Sequence, residues 1–140
     1  MANTIVLKGK GHYIEGEAAE TVMPGMPVQL LSDNTWGMWD GAAAGEHDLV
    51  AIAVEDALQG KTITDNYADG DRMQIYIPVS GDVVQVRLKA SENVSIGEKL
   101  IREDNTGLYI ATTGTPEVED FVALEASNVA SAVHIKAMKI

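Results

Sequence analysis

The sequence predicts an all-β fold, a small β-barrel or sandwich of short antiparallel strands with at most one short helix. Three observations lead to this prediction. Runs of β-branched and aliphatic residues recur at intervals of roughly 8 to 12 residues, separated by turn-forming Gly, Asp and Asn. No strand-helix-strand unit is visible. The chain contains a single Phe, so its core must be built mainly of Val, Ile, Leu and Ala.

The chain of 140 residues fits one β domain, which we expect to span residues 1–140. Near its beginning, the apolar residues Ile5, Val6 and Leu7 precede Lys8 and a pair of glycines. This stretch fits either an edge strand or a segment that becomes ordered only against a partner. We therefore expect residues 1–11 to form an extended N-terminal arm.

Two stretches of the chain predict β-hairpins. In the first hairpin, strands at 28–31 and 36–39 flank the polar turn at 32–35. In the second, strands at 98–102 and 108–111 flank a turn that ends at Gly107. Both turns carry the order Asp-Asn-Thr, and both hairpins are followed by a loop and a short apolar strand. The similarity indicates that the chain is made of two related halves.

The spacing between the two halves is nearly constant. The matching residues are Asp33 and Asp104, 71 positions apart, and two pairs that are 72 positions apart, Gly25 with Gly97 and Ala51 with Ala123. A repeat at one offset predicts that the two hairpins superpose, with Asp33 over Asp104.

The remaining strands are predicted from local patterns. Residues 15–22 fit a polar strand or loop, and the apolar run 49–54 is typical of a strand buried on both faces. Residues 72–88 alternate on both sides of a Ser-Gly-Asp turn, which predicts two paired strands. The end of the chain could hold a short helix at 128–132, but Val133, Ile135 and the last residues up to Ile140 favour a closing strand.

The charge and composition exclude several classes of protein. The formal net charge is −11, and the ten Lys and Arg residues are scattered among 21 Asp and Glu, so we expect no direct nucleic-acid binding. The acidity fits either solubility through self-repulsion or docking on a positively charged partner. No run reaches the roughly 18 apolar residues of a membrane helix, and the N-terminus lacks the features of a signal peptide. The absence of Cys excludes thiol catalysis and disulfides.

No group of residues in the sequence predicts catalysis, a metal site or a cofactor. The three histidines are far apart, and the closest approach to a ligand set, His12 with Glu15 and Glu17, also fits an exposed polar turn. The acids at 65–71 lack the ligand spacing of a calcium loop. The chain has no nucleophile elbow and no dinucleotide fingerprint. We therefore expect a protein that is not an enzyme.

Trp36 and Trp39 are the two largest apolar side chains and lie three positions apart on the first hairpin. In a regular strand this spacing puts them on opposite faces. One tryptophan should then lie in the core, and the other is a candidate anchor for a protein interface.

Several motifs together resemble the head-decoration, or cement, proteins of tailed bacteriophages. These motifs cover roughly residues 22–125 and are DALQG at 56–60, YADGD at 67–71, GDVV at 81–84, IGEKL at 96–100 and DNTG at 104–107. The resemblance implies a small β-barrel protein that binds the outer surface of an expanded capsid as a homotrimer. Its partners would be the major capsid protein and itself, and it would be made in the host cytoplasm and end on the virion surface.

On this resemblance we expect Ile5, Val6, Leu7 and Lys8 to contact neighbouring capsid subunits. We also expect an exposed apolar rim near Trp36 and Trp39 to form a trimer or capsid interface. Deletion of residues 2–8 should then abolish capsid binding and leave the fold intact. Two alternatives remain open at this point: a host- or carbohydrate-binding β module of a virion, and a small β-barrel enzyme.

Overall fold

The structure is a computed structural model and describes residues 3–40, 49–103, 107–112 and 119–140. Apart from one 3-10 turn at Ala57–Gln59, the regular elements within these residues are β-strands, which confirms the predicted fold class. The strands are β1 (Val6–Lys8), β2 (His12–Ala18), β3 (Val28–Ser32), β4 (Thr35–Met38), β5 (Ile52–Val54), β6 (Arg72–Ile77), β7 (Val83–Leu88), β8 (Asn93–Val94), β9 (Lys99–Arg102), β10 (Tyr109–Ala111), β11 (Phe121–Ala123), β12 (Ser127–Asn128) and β13 (Val133–Lys139).

The first half of the chain forms a five-stranded sheet in the order β3-β4-β2-β6-β5. The segment that leads into β3 bonds to β5 and closes the sheet: Gly25 N donates to Ala53 O (2.8 Å), and Val28 N donates to Ala51 O (2.9 Å). All of the ladders are antiparallel except β2 with β4, which is parallel. We call this unit the first barrel.

The second half forms a closed five-stranded barrel in the order β7-β10-β9-β11-β13, because β13 pairs back with β7. The β7–β10 pair is parallel, and the other four ladders are antiparallel. Strand β1 pairs with the beginning of β7, so the N-terminal segment belongs to this second barrel. The predicted closing strand at the end of the chain is confirmed as β13, and the short helix considered at 128–132 is absent, because the strand β12 ends at Asn128 and residues 129–132 are irregular.

The two barrels have the same strand order and directions, which confirms the predicted repeat. Three backbone hydrogen bonds of the first barrel recur in the second. Gly25 N to Ala53 O (2.8 Å) corresponds to Gly97 N to Ala123 O (2.8 Å), and Trp39 N to Pro27 O (3.1 Å) corresponds to Thr112 N to Lys99 O (3.0 Å). Ala19 N to Trp36 O (2.8 Å) corresponds to Lys89 N to Tyr109 O (3.0 Å). The counterpart of Ala123 is thus Ala53, not Ala51. Asp104 lies outside the described residues.

Glycine is required at one point of the repeat. Gly25 and Gly97 have φ angles of 92° and 90°, a region that residues with a Cβ rarely adopt. Each glycine turns the chain from a connecting segment into the first strand of its hairpin, which is β3 after Gly25 and β9 after Gly97. The backbone geometry therefore explains why this pair of glycines recurs in the sequence.

Each barrel has its own apolar core, and β5 contributes to both. The first core contains Ala18, Val22, Val28, Trp36, Ala51, Ala53, Tyr67, Met73 and Ile75. The second core contains Val84, Val86, Leu88, Val94, Leu100, Tyr109, Phe121, Ala123, Ile135 and Ala137, and it extends to Ile5, Val50, Ile52, Val54, Ile63 and Tyr76. Strand β5 is therefore buried on both faces, as predicted.

Strands β6 and β7 do not pair with each other, so the predicted hairpin at 72–88 is wrong. The turn is present, since Asp82 N donates to Val79 O (3.0 Å), but the two strands leave it for different sheets. Alternation predicts a strand without naming its neighbour, and here the turn is the connection between the barrels. Within the described residues, no helix has the length and hydropathy needed to cross a membrane.

Candidate interaction surfaces

The N-terminal segment is held by the fold over its described residues. Ile5 is fully buried, and its backbone N–H donates to the Glu55 carboxylate (2.8 Å). The side-chain amide of Gln85 donates to Thr4 O (2.8 Å), and Val6 pairs with Val84. The burial of Ile5 contradicts the expectation that residues 2–8 can be removed without affecting the fold.

The exposed part of this segment is small. Leu7 is half-buried and lines a groove of about 590 Å³, together with side chains of β7, β13 and residues 125–127. Lys8 is exposed and pairs with Val83 in the β1–β7 ladder. Of the four residues predicted to contact a capsid, Leu7 and Lys8 present surface to a partner, Val6 is half-buried and Ile5 belongs to the core.

A buried carboxylate fixes the rest of the N-terminal segment. The Asp82 side chain accepts hydrogen bonds from the Tyr76 hydroxyl (2.5 Å) and from the backbone N–H groups of Lys10 (2.9 Å), Gly11 (3.2 Å) and Val79 (3.0 Å). Burial raises the pKa of Asp82, but the hydrogen bonds outweigh burial and hold this pKa below its ordinary value. Burial and the bond to Asp82 raise the pKa of Tyr76 to about 12.

The two tryptophans are both buried, with 4% of Trp36 and 6% of Trp39 exposed. Trp36 lies in the first core opposite Leu30 in the β3–β4 ladder. Trp39 lies beyond the end of β4, where the alternation of the strand no longer applies, and the Arg102 guanidinium covers its ring at 4.0 Å. The expectation that one tryptophan is exposed is therefore wrong.

Arg102 marks the junction between the barrels. Its Nε forms an ion pair with Asp120 at 2.7 Å, and the two side chains are 5% and 1% exposed. Its terminal nitrogen donates to Leu49 O (3.3 Å), and its guanidinium covers Trp39, so both of these first-barrel residues contact it. A further contact joins the barrels where Arg87 N donates to Gly25 O (3.0 Å). The junction combines a buried ion pair with shared apolar core.

A row of cross-strand neighbours lies on the outer face of the second barrel. In register, Lys99 pairs with Val122, Val122 with Met138, Met138 with Val83, and Val83 with Lys8. Paired residues on one face of a sheet place their side chains in contact. The row therefore forms an apolar strip with a lysine at each end, which we call the outer row. Met138 is 38% exposed.

A second apolar patch lies at the end of β3 in the first barrel. Leu30 and Leu31 are 52% and 50% exposed, although both belong to a strand. The Glu20 carboxylate and the Leu31 side chain both lie over Gly37, and Glu20 accepts the backbone N–H of Met38 (3.0 Å). Adjacent exposed leucines on a small acidic protein are candidates for a protein interface.

The two barrels carry very different charges. Residues 11–79, which contain the first barrel, have 12 acidic and 2 basic residues, and the rest of the chain has 9 acidic and 8 basic residues. Almost all of the net charge of −11 therefore belongs to the first barrel. The protein is electrically two-sided, with a strongly acidic barrel and a nearly neutral one.

The candidate metal and acid residues are used by local structure. His12 and Glu15 occupy opposite faces of β2, and Glu15 bonds to Gln74 (2.9 Å) and pairs with Arg72 (3.5 Å). Asp65 accepts the backbone N–H of Thr62 (2.7 Å). Among the described residues, no three His, Cys, Asp or Glu side chains are grouped so that they would hold a metal ion. Glu117 and His47 lie outside the described residues.

A comparison with solved structures gives one informative similarity. The chain is similar to a crystal structure described as the head fiber gp8.5 N base in bacteriophage phi29, with a TM-score of 0.52 and 16% sequence identity. The similarity covers 93% of this chain and 98% of that chain. At this identity the match shows a similar fold and no more. No protein-family profile matches the chain, and no curated protein matches it in sequence.

Neither exposed surface, the outer row nor the leucines at the end of β3, was predicted from the sequence. The alternation of Val83 and Met138 opposite buried neighbours was visible, but only strand order shows that these residues share a row. Leu30 and Leu31 were assigned to a hairpin strand, and a pair of adjacent leucines gives no sign of which side is solvent. The unequal charge of the two halves was the one signal that a count of residues could have revealed.

Proposed function

We propose that this protein is a structural protein of a bacteriophage head and that it acts without catalysis. The observation that supports this most strongly is the fold shared with a phage head fiber base over nearly the whole of both chains. The motifs that resemble head-decoration proteins support the same conclusion independently, because they rest on turn sequences. Two exposed apolar surfaces on the chain fit a protein whose work is binding other proteins.

In its finer form, the proposal is that a homotrimer binds the outer surface of an expanded capsid and bridges capsid subunits. A protein that binds the assembled shell, and not its separate subunits, stabilises the shell by mass action. Three linked copies strengthen the attachment, because binding of one copy raises the effective concentration of the others. The strongly acidic first barrel would favour orientations in which the nearly neutral second barrel faces other acidic surfaces.

The proposed capsid contact is the exposed part of the N-terminal segment, Leu7 and Lys8, with Ile5 and Val6 holding that segment in place. Trp36 would support a trimer or capsid interface through Leu30, its exposed partner in the β3–β4 ladder, whereas Trp39 lies under the buried Arg102 and would act only by holding the junction in shape. This assignment keeps the buried residues as supports and gives the contact to side chains that reach solvent.

The test is to mix the protein with expanded, undecorated capsids and to measure co-sedimentation and added density by electron cryomicroscopy. We expect bound protein on the outer surface and a higher temperature of capsid disruption. The double variant Leu7→Asp and Lys8→Glu should lose capsid binding and stay folded, whereas Lys61→Glu, which changes the same charge in a loop of the first barrel, should bind like the wild type.

Two results would overturn the proposal. The first is no binding to expanded capsids at any protein concentration. The second is that the protein binds specifically to a glycan array and does not bind capsids, which would support a host-binding module instead.

A further inference from the structure

Equivalent surfaces of the two barrels differ in exposure. Val122, in the outer row, is the counterpart of Ile52 in the repeat. Ile52 is fully buried in the core shared by the two barrels, whereas Val122 is only partly buried and its neighbour Met138 is 38% exposed. The face of the first barrel that is covered within the chain thus has an open counterpart on the second barrel.

At the ends of β3 and β9 the difference in exposure is reversed: the second barrel has the covered residue and the first barrel has the exposed one. Leu30 pairs with Trp36 as Arg102 pairs with Tyr109, so Leu30 is the counterpart of Arg102. Arg102 is covered by Trp39 and Leu49 of the first barrel, and its side chain is 5% exposed. Leu30, in contrast, is 52% exposed. Each of the two contact surfaces that join the barrels therefore occurs a second time, uncovered.

We propose that these two uncovered surfaces bind each other between copies of this chain. The outer face around Val122 and Met138 of one copy would pack on the β3 end around Leu30 of the next copy, and so repeat between chains the junction that joins the barrels within a chain. Such a contact is heterologous, and it forms a closed ring when its rotation closes. The number of copies in the ring, three, rests on the proposed function.

Charge disfavours a symmetric contact between two first barrels and allows the head-to-tail arrangement. A contact between two first barrels would bring together two bodies that each carry 12 acidic and 2 basic residues. The outer face of the second barrel carries Lys99 and Lys136 beside the acids Glu119 and Glu125, so its charges are balanced. An apolar strip in a balanced surround is a suitable partner for leucines beside Glu20.

The experiment uses two variants and a matched control. Leu30→Asp removes one surface, Met138→Asp removes the other, and Leu58→Asp places the same change at a side chain that is 99% exposed in the 3-10 turn. Circular dichroism checks that each variant is folded, and light scattering coupled to size-exclusion chromatography measures mass. We expect wild type and Leu58→Asp to form the same closed assembly and each of the other two variants to be a 14.9 kDa monomer.

An equimolar mixture of Leu30→Asp and Met138→Asp decides the geometry. Each variant keeps the surface that the other has lost, so a heterologous contact allows heterodimers with twice the chain mass but no closed ring. Wild-type protein that stays monomeric, assembly that survives both substitutions, or a mixture without heterodimers would each overturn this inference. If a monomeric wild type binds capsids, the proposed contact between copies is wrong and the proposed role in a phage head is kept. If the wild type forms the ring but does not bind capsids, the proposed role is wrong and the contact between copies is kept.

Discussion

Asp82 joins three parts of the chain through one carboxylate. It holds the N-terminal segment at Lys10 and Gly11, strand β6 at Tyr76 and the inter-barrel turn at Val79. At Gly11 the backbone leaves no room for a side chain, because a Cβ there would overlap the Ile77 carbonyl oxygen. The charge of Asp82 is thus part of the mechanism that positions the proposed capsid contact at Leu7 and Lys8.

Replacement of Asp82 by Asn should destabilise the fold by about 2 to 4 kcal/mol, because an amide accepts fewer hydrogen bonds and leaves buried donors unpaired. The folded-state pKa of Asp82 is lowered, so its contribution is complete above the ordinary Asp value of about 4 and is lost as pH falls through the lowered pKa. The difference in urea midpoint between wild type and D82N should therefore shrink below about pH 4. Asp69→Asn, at an exposed position, is the control, and a difference that is constant with pH would contradict the assignment.

Arg102→Leu should cost about 3 to 5 kcal/mol, because it leaves the Asp120 carboxylate buried beside Tyr109 without its cation. The first barrel has Leu30 and Val50 at the equivalent positions, so the same backbone accepts apolar side chains at both. The double variant Arg102→Leu and Asp120→Val should recover most of the lost stability. Chemical denaturation of the three variants measures this, and a double variant less stable than R102L would show that the ion pair has no apolar substitute.

At the scale of elements, the N-terminal strand is a structural component that also carries exposed residues. Ile5→Ala should destabilise the protein by about 2 to 5 kcal/mol, since it opens a cavity in the core. Val129→Ala, which truncates a 45% exposed side chain, should change stability by less than about 0.5 kcal/mol. Thermal unfolding compares the two variants. Equal effects would mean that residues 3–8 do not pack as described.

The elements that sequence predicted well are those whose signal is local. The hairpins β3–β4 and β9–β10, the doubly buried β5 and the closing strand β13 follow from turn residues and from runs of apolar residues. The pairing of β6 and β7 was wrong and the row from Lys99 to Lys8 was missed, because both depend on which strands are neighbours. Burial of Trp39 depends on Arg102, 63 positions away, and no local pattern contains that contact.

At the scale of the whole molecule, the repeat is symmetric in topology and asymmetric in charge and burial. The first barrel donates Ile52, Val54 and Tyr76 to the core of the second, so the core of the second barrel is complete only when the first barrel is in place. The connection between β11 and β13 in the second barrel has nine residues, whereas the equivalent connection between β5 and β6 in the first barrel has seventeen. The extra residues of the first barrel contain the 3-10 turn and Ile63, which also packs into the shared core.

This sharing predicts that the two barrels unfold together. Trp36 lies in the core of the first barrel and Trp39 lies at the junction under Arg102, so tryptophan fluorescence reports on the first barrel and on its contact with the second. Leu100 is fully buried in the second barrel, and Leu100→Ala should cost about 2 to 5 kcal/mol. If unfolding is two-state, the truncation in the second barrel lowers the midpoint of tryptophan fluorescence as much as that of far-ultraviolet circular dichroism. Met73→Ala, in the first core, is the matched change on the other side. Fluorescence that keeps its wild-type midpoint in L100A would mean that the barrels are separate folding units, and the shared core at Ile52 and Tyr76 would then contribute little to cooperativity.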